Sequence, residues 1–572
     1  PPPASASADP ACVISLAELR RQLAARAARW RARRLRGSAS SAPGAEPVGS
    51  WADTRQASDP IRHPSAPGAP TYPELGDRLG VSDTPRGRGI FAKSSAHPGD
   101  TLLIAETHVS VLATAHIFTR CHYCFAQRPA LLRCAGCRFA RYCNAACQRT
   151  AWTEARHRDE CAALMRWFAC VPGGGDGSDL PDVTQEPGAS VRALAQLLWQ
   201  RRRRGRDSGW WRRVAAMQSH RRDMDAAQAA DAAQLAVRLA RFLGDGALEA
   251  LGISHADALV TLIAQHHTNA FTLSDAHFDP IGVAVCPVAA LINHSCAPNA
   301  VVVFPEACAG KRCPMHVVAL TDIAAGDEIY ASYVDIGAPR TERQRTLHER
   351  YHFTCNCALC SRTNWVDPRT ALWCPAGCGA WCAGDGAPVT RCARCGAPRH
   401  MNAATYTRLN EAAALSVRVT AAMHEGGALP TDDALHSALR DTLPWLCELA
   451  PPANASLWSL LHAAHVLAIE RGAWDEATRL AMLVCAGIQA RGARDARSAL
   501  YPPHHPQRAV MLAALGRLLL LDAAQDAVTP AWLIERAPLP PPSPARAALA
   551  HAALTQAARE SSGYPDVAAL VR

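Results

Sequence analysis

Leu291-Ile292-Asn293-His294-Ser295-Cys296-Ala297-Pro298-Asn299 puts an amide, an imidazole and a thiol within four residues, and Pro298 keeps the segment from running on as a helix. Alone, the stretch reads first as a binding loop, with a polar turn and a buried cysteine as the lesser alternative. Its flanks decide. Upstream, Pro85-Arg86-Gly87-Arg88-Gly89-Ile90-Phe91-Ala92 sets two glycines around an arginine before an apolar strand. Glycine there lets the backbone approach a ligand and expose its N–H groups. Downstream, Gly326-Asp327-Glu328-Ile329-Tyr330-Ala331-Ser332-Tyr333 precedes Tyr351-His352-Phe353-Thr354-Cys355-Asn356-Cys357-Ala358-Leu359-Cys360.

In this order the four stretches resemble the SET-domain protein lysine methyltransferases. Between the first and second lies a denser signal: Cys121, Cys124, Cys134, Cys137, Cys143, Cys147, His157 and Cys161. Eight ligands make two tetrahedral zinc sites with none left over, and His157 and Cys161 at i, i+4 point the same way from a helix. Tyr142-Cys143 and Cys147-Gln148 add a resemblance to the MYND zinc finger. That resemblance implies interleaved sites, with Cys121, Cys124, Cys143 and Cys147 on one zinc and Cys134, Cys137, His157 and Cys161 on the other. A module of about 40 residues barely buries a core, so metal must supply its folding energy.

A finger and then helices, inserted between the Gly-Arg-Gly hairpin and the Asn-His loop, is the arrangement of the SMYD subfamily. The resemblance implies transfer of a methyl group from S-adenosylmethionine to a histone or non-histone lysine. It makes Tyr333 the catalytic group and places Arg88, Gly89, Asn269, Asn293, His294, Tyr333 and Phe353 around the cofactor, Phe353 as a flat face for adenine. Cys296 becomes the fourth ligand of a zinc held by Cys355, Cys357 and Cys360. The finger is expected to dock proline-rich peptides.

Spacing alone suggests a fourth zinc in a ribbon of Cys374, Cys378, Cys392 and Cys395, with Cys382 spare. Cys308 and Cys313 read as spare thiols. His220 is expected to pack between helices, and His504 and His505 to open a helix. The expected fold is α+β and multidomain. Its parts are a disordered basic arm (1–72), the first part of a β-rich SET domain (73–120), the finger (121–161), a linker and helical insert (162–272), the core SET domain (273–338), a post-SET segment (339–362), the ribbon (363–400) and a TPR-like helical domain (401–572).

Composition bounds the rest. The 572 residues exceed one core, with 49% apolar and 19% charged residues typical of a globular protein. Of the formal +10, residues 1 to 36 carry +6, eight arginines less Asp9 and Glu18. A second basic run, Arg201 to Arg204 with Arg206, Arg212 and Arg213, lies in the body. Such patches attract nucleic acid or acidic tails, or are solvated faces; few aromatic residues are interleaved in the sequence. Twenty of 23 cysteines fall between Cys121 and Cys395, most in short pairs, which argues for zinc in a reducing compartment. No apolar run reaches the roughly 18 to 20 residues of a membrane span, so a soluble monomer of nucleus or cytoplasm is expected. The start lacks Met and a signal region, as a fragment or processed form would, and its arginine content also fits a transit peptide. The competing reading is a zinc-dependent chromatin scaffold without methyltransferase activity.

Overall fold

Strand-forming runs between residues 79 and 112, each bounded by Gly or Pro turns, open a computed structural model that describes residues 70–169, 185–253, 256–305, 312–362, 365–383, 389–425, 432–489, 499–521, 529–541 and 543–564, with 566 and 568. Residues 1–69 of the arm, most of the linker, and Cys308 lie outside these residues. The chain divides into two units, one of residues 39–335 and 341–361, the other of 1–38, 336–340 and 362–572.

In the first unit β1 (Leu79–Thr84) pairs antiparallel with β2 (Gly87–Ala92), Asp83 facing Arg88. The sequence reading missed β1 because Ser82 and Asp83 break its apolar alternation. β3 (Thr101–Ala105) and β4 (Val109–Leu112) follow the Pro98-Gly99-Asp100 turn. The finger follows, with β5 (Leu132–Arg133), β6 (Arg141–Tyr142), α1 (Ala145–Thr153) and α2 (His157–Ala169). Asn144 caps α1 by accepting from the Cys147 N–H at 2.9 Å, which fixes that cysteine in the first turn.

The helical insert comprises α3 (Ala189–Arg204), α4 (Gly209–Ala215), α5 (Ala226–Leu243), α6 (Ala247–Ala250) and α7 (Ala256–Asn269). Asp225 and Gln228 form a capping box at the start of α5. Val191, Leu194, Leu197 and Leu198 of α3 share one apolar core with Phe139, Tyr142 and Leu164 of the finger and Val111 of β4. Each such leucine contributes about 1.5–3 kcal/mol by leaving water. A buried ion pair fixes the joint: Arg192 Nε meets Glu186 Oε2 at 2.9 Å and its guanidinium donates to the Leu112 carbonyl at 2.5 Å. Arg201 stacks over Trp211 and Arg204 over Trp210. The basic run therefore does have aromatic partners, Trp210 and Trp211 from within the run itself, which the next helix folds back onto its first arginines.

Two boundaries differ from expectation. Residues 270 and 271, read as the end of the helical insert, begin β7 (Ala270–Ser274), which pairs with β8 (Pro280–Val285), itself paired with β4. Residues 328 to 333, whose apolar and aromatic run has the composition of one full strand, contain only β12 (Tyr330–Ala331), parallel to β9 (Asn293–His294). The strand stops there because Ser332 turns back onto the Val334 carbonyl. β10 (Ala300–Val303), β11 (Met315–Ala319) and β3 make a three-stranded sheet. Helix α8 (Arg340–Tyr351) leads into the cysteine tail.

The second unit holds a ribbon of two hairpins, β13 (Leu372–Trp373) with β14 (Trp381–Cys382) and β15 (Val389–Arg391) with β16 (Pro398–His400). Helices follow: α9 (Ala403–Glu425), α10 (Asp432–Leu449), α11 (Ala455–Arg471), α12 (Trp474–Gln489), α13 (Pro506–Leu519), α14 (Ala531–Arg536) and α15 (Pro544–Glu560). α13 packs closely on α15 because Gly516 has no side chain; a Cβ there would stand 2.6 Å from Leu554. Asn454 caps α11 and also donates to the Ala371 carbonyl at 3.1 Å, tying ribbon to helices. His505 is the N-cap of α13, accepting from the Gln507 N–H, as its place before Pro506 implied. Among the described residues no helix is long and apolar enough to cross a membrane.

Candidate active site

The hairpin β1–β2, the strand pair β9–β12, the end of α7 and the segment after α8 line one cavity of about 1830 Å³. Arg88, Asn269, Asn293, His294, Tyr333 and Phe353 all border it. Gly89 does not. It is buried behind the wall, where a Cβ would stand 2.5 Å from Glu328 Oε1 and 3.1 Å from Asn293 Nδ2.

Asn299 sets the floor. Its amide accepts from the Tyr330 N–H at 2.7 Å and donates to the Glu328 carbonyl at 2.9 Å, clamping β12 beside β9. The Asn293 amide donates to Glu328 Oε1 at 2.7 Å and to the Arg88 carbonyl at 3.3 Å. Tyr330 donates its hydroxyl to Glu328 Oε2 at 2.5 Å, and burial with that hydrogen bond pushes the phenol up to about 12.

His294 is 4% exposed. Its Nδ1 accepts the Tyr333 backbone N–H at 3.0 Å, so the ring proton sits on Nε2, 3.3 Å from Cys296 Sγ. One imidazole therefore links the thiol of Cys296 to the backbone of Tyr333. The Tyr333 hydroxyl donates to the Ile292 carbonyl at 2.7 Å. Its ring lies 5.2 Å from His294 and 4.8 Å from Tyr351. Desolvation holds its phenol well above the usual tyrosine range, so it stays protonated at neutral pH. Phe353 stands 5.9 Å from His294 and lines the cavity.

Arg88 donates to the Ala216 carbonyl at 2.6 Å, and Asn269 to the Gln218 carbonyl at 2.7 Å. Both side chains thus hold the segment 216–220 against the cavity. That segment corrects the expectation for His220. It is not packed between helices but sits in a left-handed turn with φ 48°, lines the cavity and faces His352, ring to ring at 5.4 Å. Tyr351, Glu328 and His220 are the site residues the sequence reading did not select. Tyr351 and Glu328 stood inside quoted motifs; His220 carried no local signal.

Four groups of side chains converge closely enough to hold a metal: Cys121, Cys124, Cys143 and Cys147; Cys134, Cys137, His157 and Cys161; Cys296, Cys355, Cys357 and Cys360; and Cys374, Cys378, Cys392 and Cys395. Sulfur pairs 3.5 to 3.7 Å apart (Cys124–Cys143, Cys134–Cys161, Cys360–Cys296, Cys374–Cys395) fit the edges of a tetrahedron of thiolates at about 2.3 Å from zinc, not disulfide bonds of about 2.05 Å. His157 Nε2 lies 3.7 Å from Cys137 Sγ while its Nδ1 faces Glu160 Oε2 at 3.1 Å. Burial alone would lower that imidazole, but the thiols of Cys134 and Cys161 and the Glu160 carboxylate outweigh it and hold it well above its ordinary range, the mark of a place that wants positive charge. The donor sets fit zinc. Cys382 is buried beside the ribbon group but is not one of its four converging cysteines, and burial pushes its thiol up to about 12. Cys313 donates to the Pro305 carbonyl at 2.6 Å, consistent with a spare thiol.

Residues 87–334 match the SET domain family. The chain is 32% identical over 289 residues to the N-lysine methyltransferase SMYD2-A of Xenopus laevis, covering 50% of this chain and 61% of that protein. It is 29% identical over 278 residues to SMYD2 of Homo sapiens, covering 48% and 58%. To the histone-lysine N-methyltransferase ASHR1 of Arabidopsis thaliana it is 30% identical over 295 residues, covering 50% and 56%. The matches thus span well under two thirds of these relatives' lengths. A solved structure of the SET domain of LSMT bound to lysine and AdoHcy covers 77% of this chain and 87% of its own at 12% identity, with a TM-score of 0.29, too low to carry an argument. This chain thus carries a SET-domain match at residues 87–334 and, over about half of its length, is similar to the SMYD2 lysine methyltransferases.

Proposed function

We propose that this chain is an S-adenosylmethionine-dependent protein-lysine N-methyltransferase. The observation that carries the reading is the convergence of Asn293, His294, Tyr333 and Phe353 on one cavity, with His294 tied to the Cys296 cluster. When bound, the sulfonium cofactor supplies an electrophilic methyl group. Arg88, Asn293 and His294 would meet its amino-acid end, Asn269 and Phe353 the rest, with Gly89 leaving room behind them.

At the other end a lysine must arrive as free amine. From a reference pKa near 10.4, well under 1% is neutral at pH 7. The aromatic walls of Tyr333 and Tyr351 disfavour the ammonium by desolvation. Tyr333 cannot serve as a strong base, because its phenol stays protonated. With its own proton given to the Ile292 carbonyl, its oxygen keeps lone pairs that accept from the amine and aim it. Catalysis by this chain is then mainly positioning.

Zinc at all four groups would be structural, with closed coordination. The Cys296, Cys355, Cys357 and Cys360 site would bind metal and complete the wall of the cavity in one event. The ribbon site is supported by the same sulfur spacing and by a core made of little but cysteine. The finger and the helices of the second unit would dock partners, proline-rich peptides at the finger, for a monomer working in nucleus or cytoplasm; the arm 1–69 would add weak nucleic-acid contact. Histone and non-histone lysines both fit.

The test is transfer of labelled methyl to core histones and cell extract by wild type, Tyr333→Phe and His294→Ala. Label on lysine that falls at least 100-fold in both variants supports the enzyme. No label and no cofactor binding by zinc-loaded protein would leave the scaffold reading in its place.

A further inference from the structure

We infer that Glu328 is a positioning residue for cofactor recognition: it turns the Asn293 amide so that the oxygen, not the nitrogen, faces the amino-acid end of a bound S-adenosyl group. The inference rests on the reading of the cavity as an S-adenosyl site and names what sets its polarity.

An amide placed at a ligand can present either an acceptor or two donors, and nothing in Asn293 itself chooses. Its neighbours do. Beside it stand the Glu328 carboxylate at 2.7 Å, itself on the cavity wall, and the Arg88 carbonyl at 3.3 Å. Both groups only accept, so the NH₂ edge must face them. The choice does not depend on telling nitrogen from oxygen by position, because the opposite orientation would set three acceptors against one another. The oxygen is then left for the cavity that Asn293 lines, where it suits an ammonium and repels a carboxylate.

Glu328 is itself held in place at both ends. Its backbone is fixed by Asn299 and by the Ile329 N–H donating to the Ile90 carbonyl at 2.7 Å. Its second carboxylate oxygen takes the Tyr330 hydroxyl, leaving the first for Asn293. Gly89 provides the space, since a Cβ would lie 2.5 Å from that first oxygen. Hairpin glycine, carboxylate and amide thus form one device built from three separate stretches of chain.

The experiment compares two probes on full-length, zinc-loaded protein by calorimetry. S-adenosylhomocysteine carries the amino-acid end; 5′-methylthioadenosine lacks it. Glu328→Ala is expected to weaken the first at least tenfold and the second less than twofold. Glu328→Gln should fall between, because its amide oxygen can still accept from Asn293. Gly89→Ala attacks the same pair from the opposite strand and should show the same selective loss, which keeps the test open if Glu328→Ala does not fold. Equal loss of both probes would show a merely structural role and overturn the inference, as would undiminished binding of S-adenosylhomocysteine. Wild type that binds neither probe would overturn the parent reading and this one with it, whereas wild type that binds both while the variants lose neither would overturn this one alone.

Discussion

The finger and the ribbon each gather cysteines into tetrahedral groups, yet they differ in what surrounds the sulfur. In the finger, residues 121–161, the ligands sit among Phe139, Tyr142, Ala151 and Leu164, in an apolar core that continues into α3 and β4. In the ribbon, the buried apolar set is Cys374, Cys382 and Cys392, flanked by Cys378, Ala380 and Ala397. Metal in the finger pins elements that a shared hydrophobic core then holds, whereas in the ribbon the metal would be most of the core. Loss of metal should therefore spread from the first and stay local in the second.

The largest effect follows from Cys137→Ser. Structural zinc is worth about 10–16 kcal/mol in small fingers, as much as a whole domain's stability. The first unit should fail to fold, read as lost near-ultraviolet dichroism and lost cofactor binding. A variant that melts like wild type would break the comparison. Leu197→Ala attacks the same core from the apolar side and should cost about 2–5 kcal/mol in denaturant unfolding with zinc content unchanged. Glu160→Ala removes the partner that orients His157 and should weaken zinc at that one site about 10- to 100-fold, measured by competition with a chelator.

His266 offers a pH test of support that uses no metal. The ring is 2% exposed and burial, with lesser help from His267 and Arg350, holds it down to about 3 against an ordinary 6.5. The folded pKa lies below the unfolded one, so the unfolded chain binds more protons between about 3 and 6.5. Stability from this group is present above 6.5 and lost as pH falls through that window. His266→Gln should flatten the slope of unfolding free energy against pH by up to about 1.4 kcal/mol per unit between pH 6 and 5, compared at equal zinc content. The smallest effect on the first unit is that of Cys392→Ser. It should lower zinc from four ions per chain to three by mass spectrometry and leave methyl transfer within twofold, whereas Cys382→Ser should keep all four. Three ions in wild type would break the ribbon half of the comparison.

Much of this was legible because the chemistry is local. Cys-x-x-Cys pairs, the i, i+4 spacing of His157 and Cys161, and Pro506 after His505 state their structure within a few residues. The pairing of Cys296 with Cys355, Cys357 and Cys360 followed only from family resemblance, since 59 residues separate the first two ligands. What stayed hidden was assembled by tertiary packing. Trp210 and Trp211 lie under arginines of the preceding helix, His220 enters the cavity from a left-handed turn, and Gly89 matters for what stands behind it. Periodicity cannot show any of these, because each depends on which distant surface arrives at that residue. β7 was missed for another reason: Ala270 and Phe271 continue the apolar pattern of α7 without a Gly or Pro to mark the change.

The register that sets Val109 opposite Val285 has a consequence for how the molecule comes into being. Those residues are 176 apart, and the finger and five helices lie between them, so the pairing is among the most non-local contacts the chain makes. On a ribosome moving at about 5–20 residues per second, the first half of the sheet waits on the order of ten seconds or more for the second. Cys360, the last ligand beside the cavity, emerges later still. The finger, by contrast, holds all its ligands within 41 residues and can close at once around zinc. Until β8 emerges, the edge of β4 stands open beside a finger that can already have closed, and that exposed edge is the species a chaperone would meet.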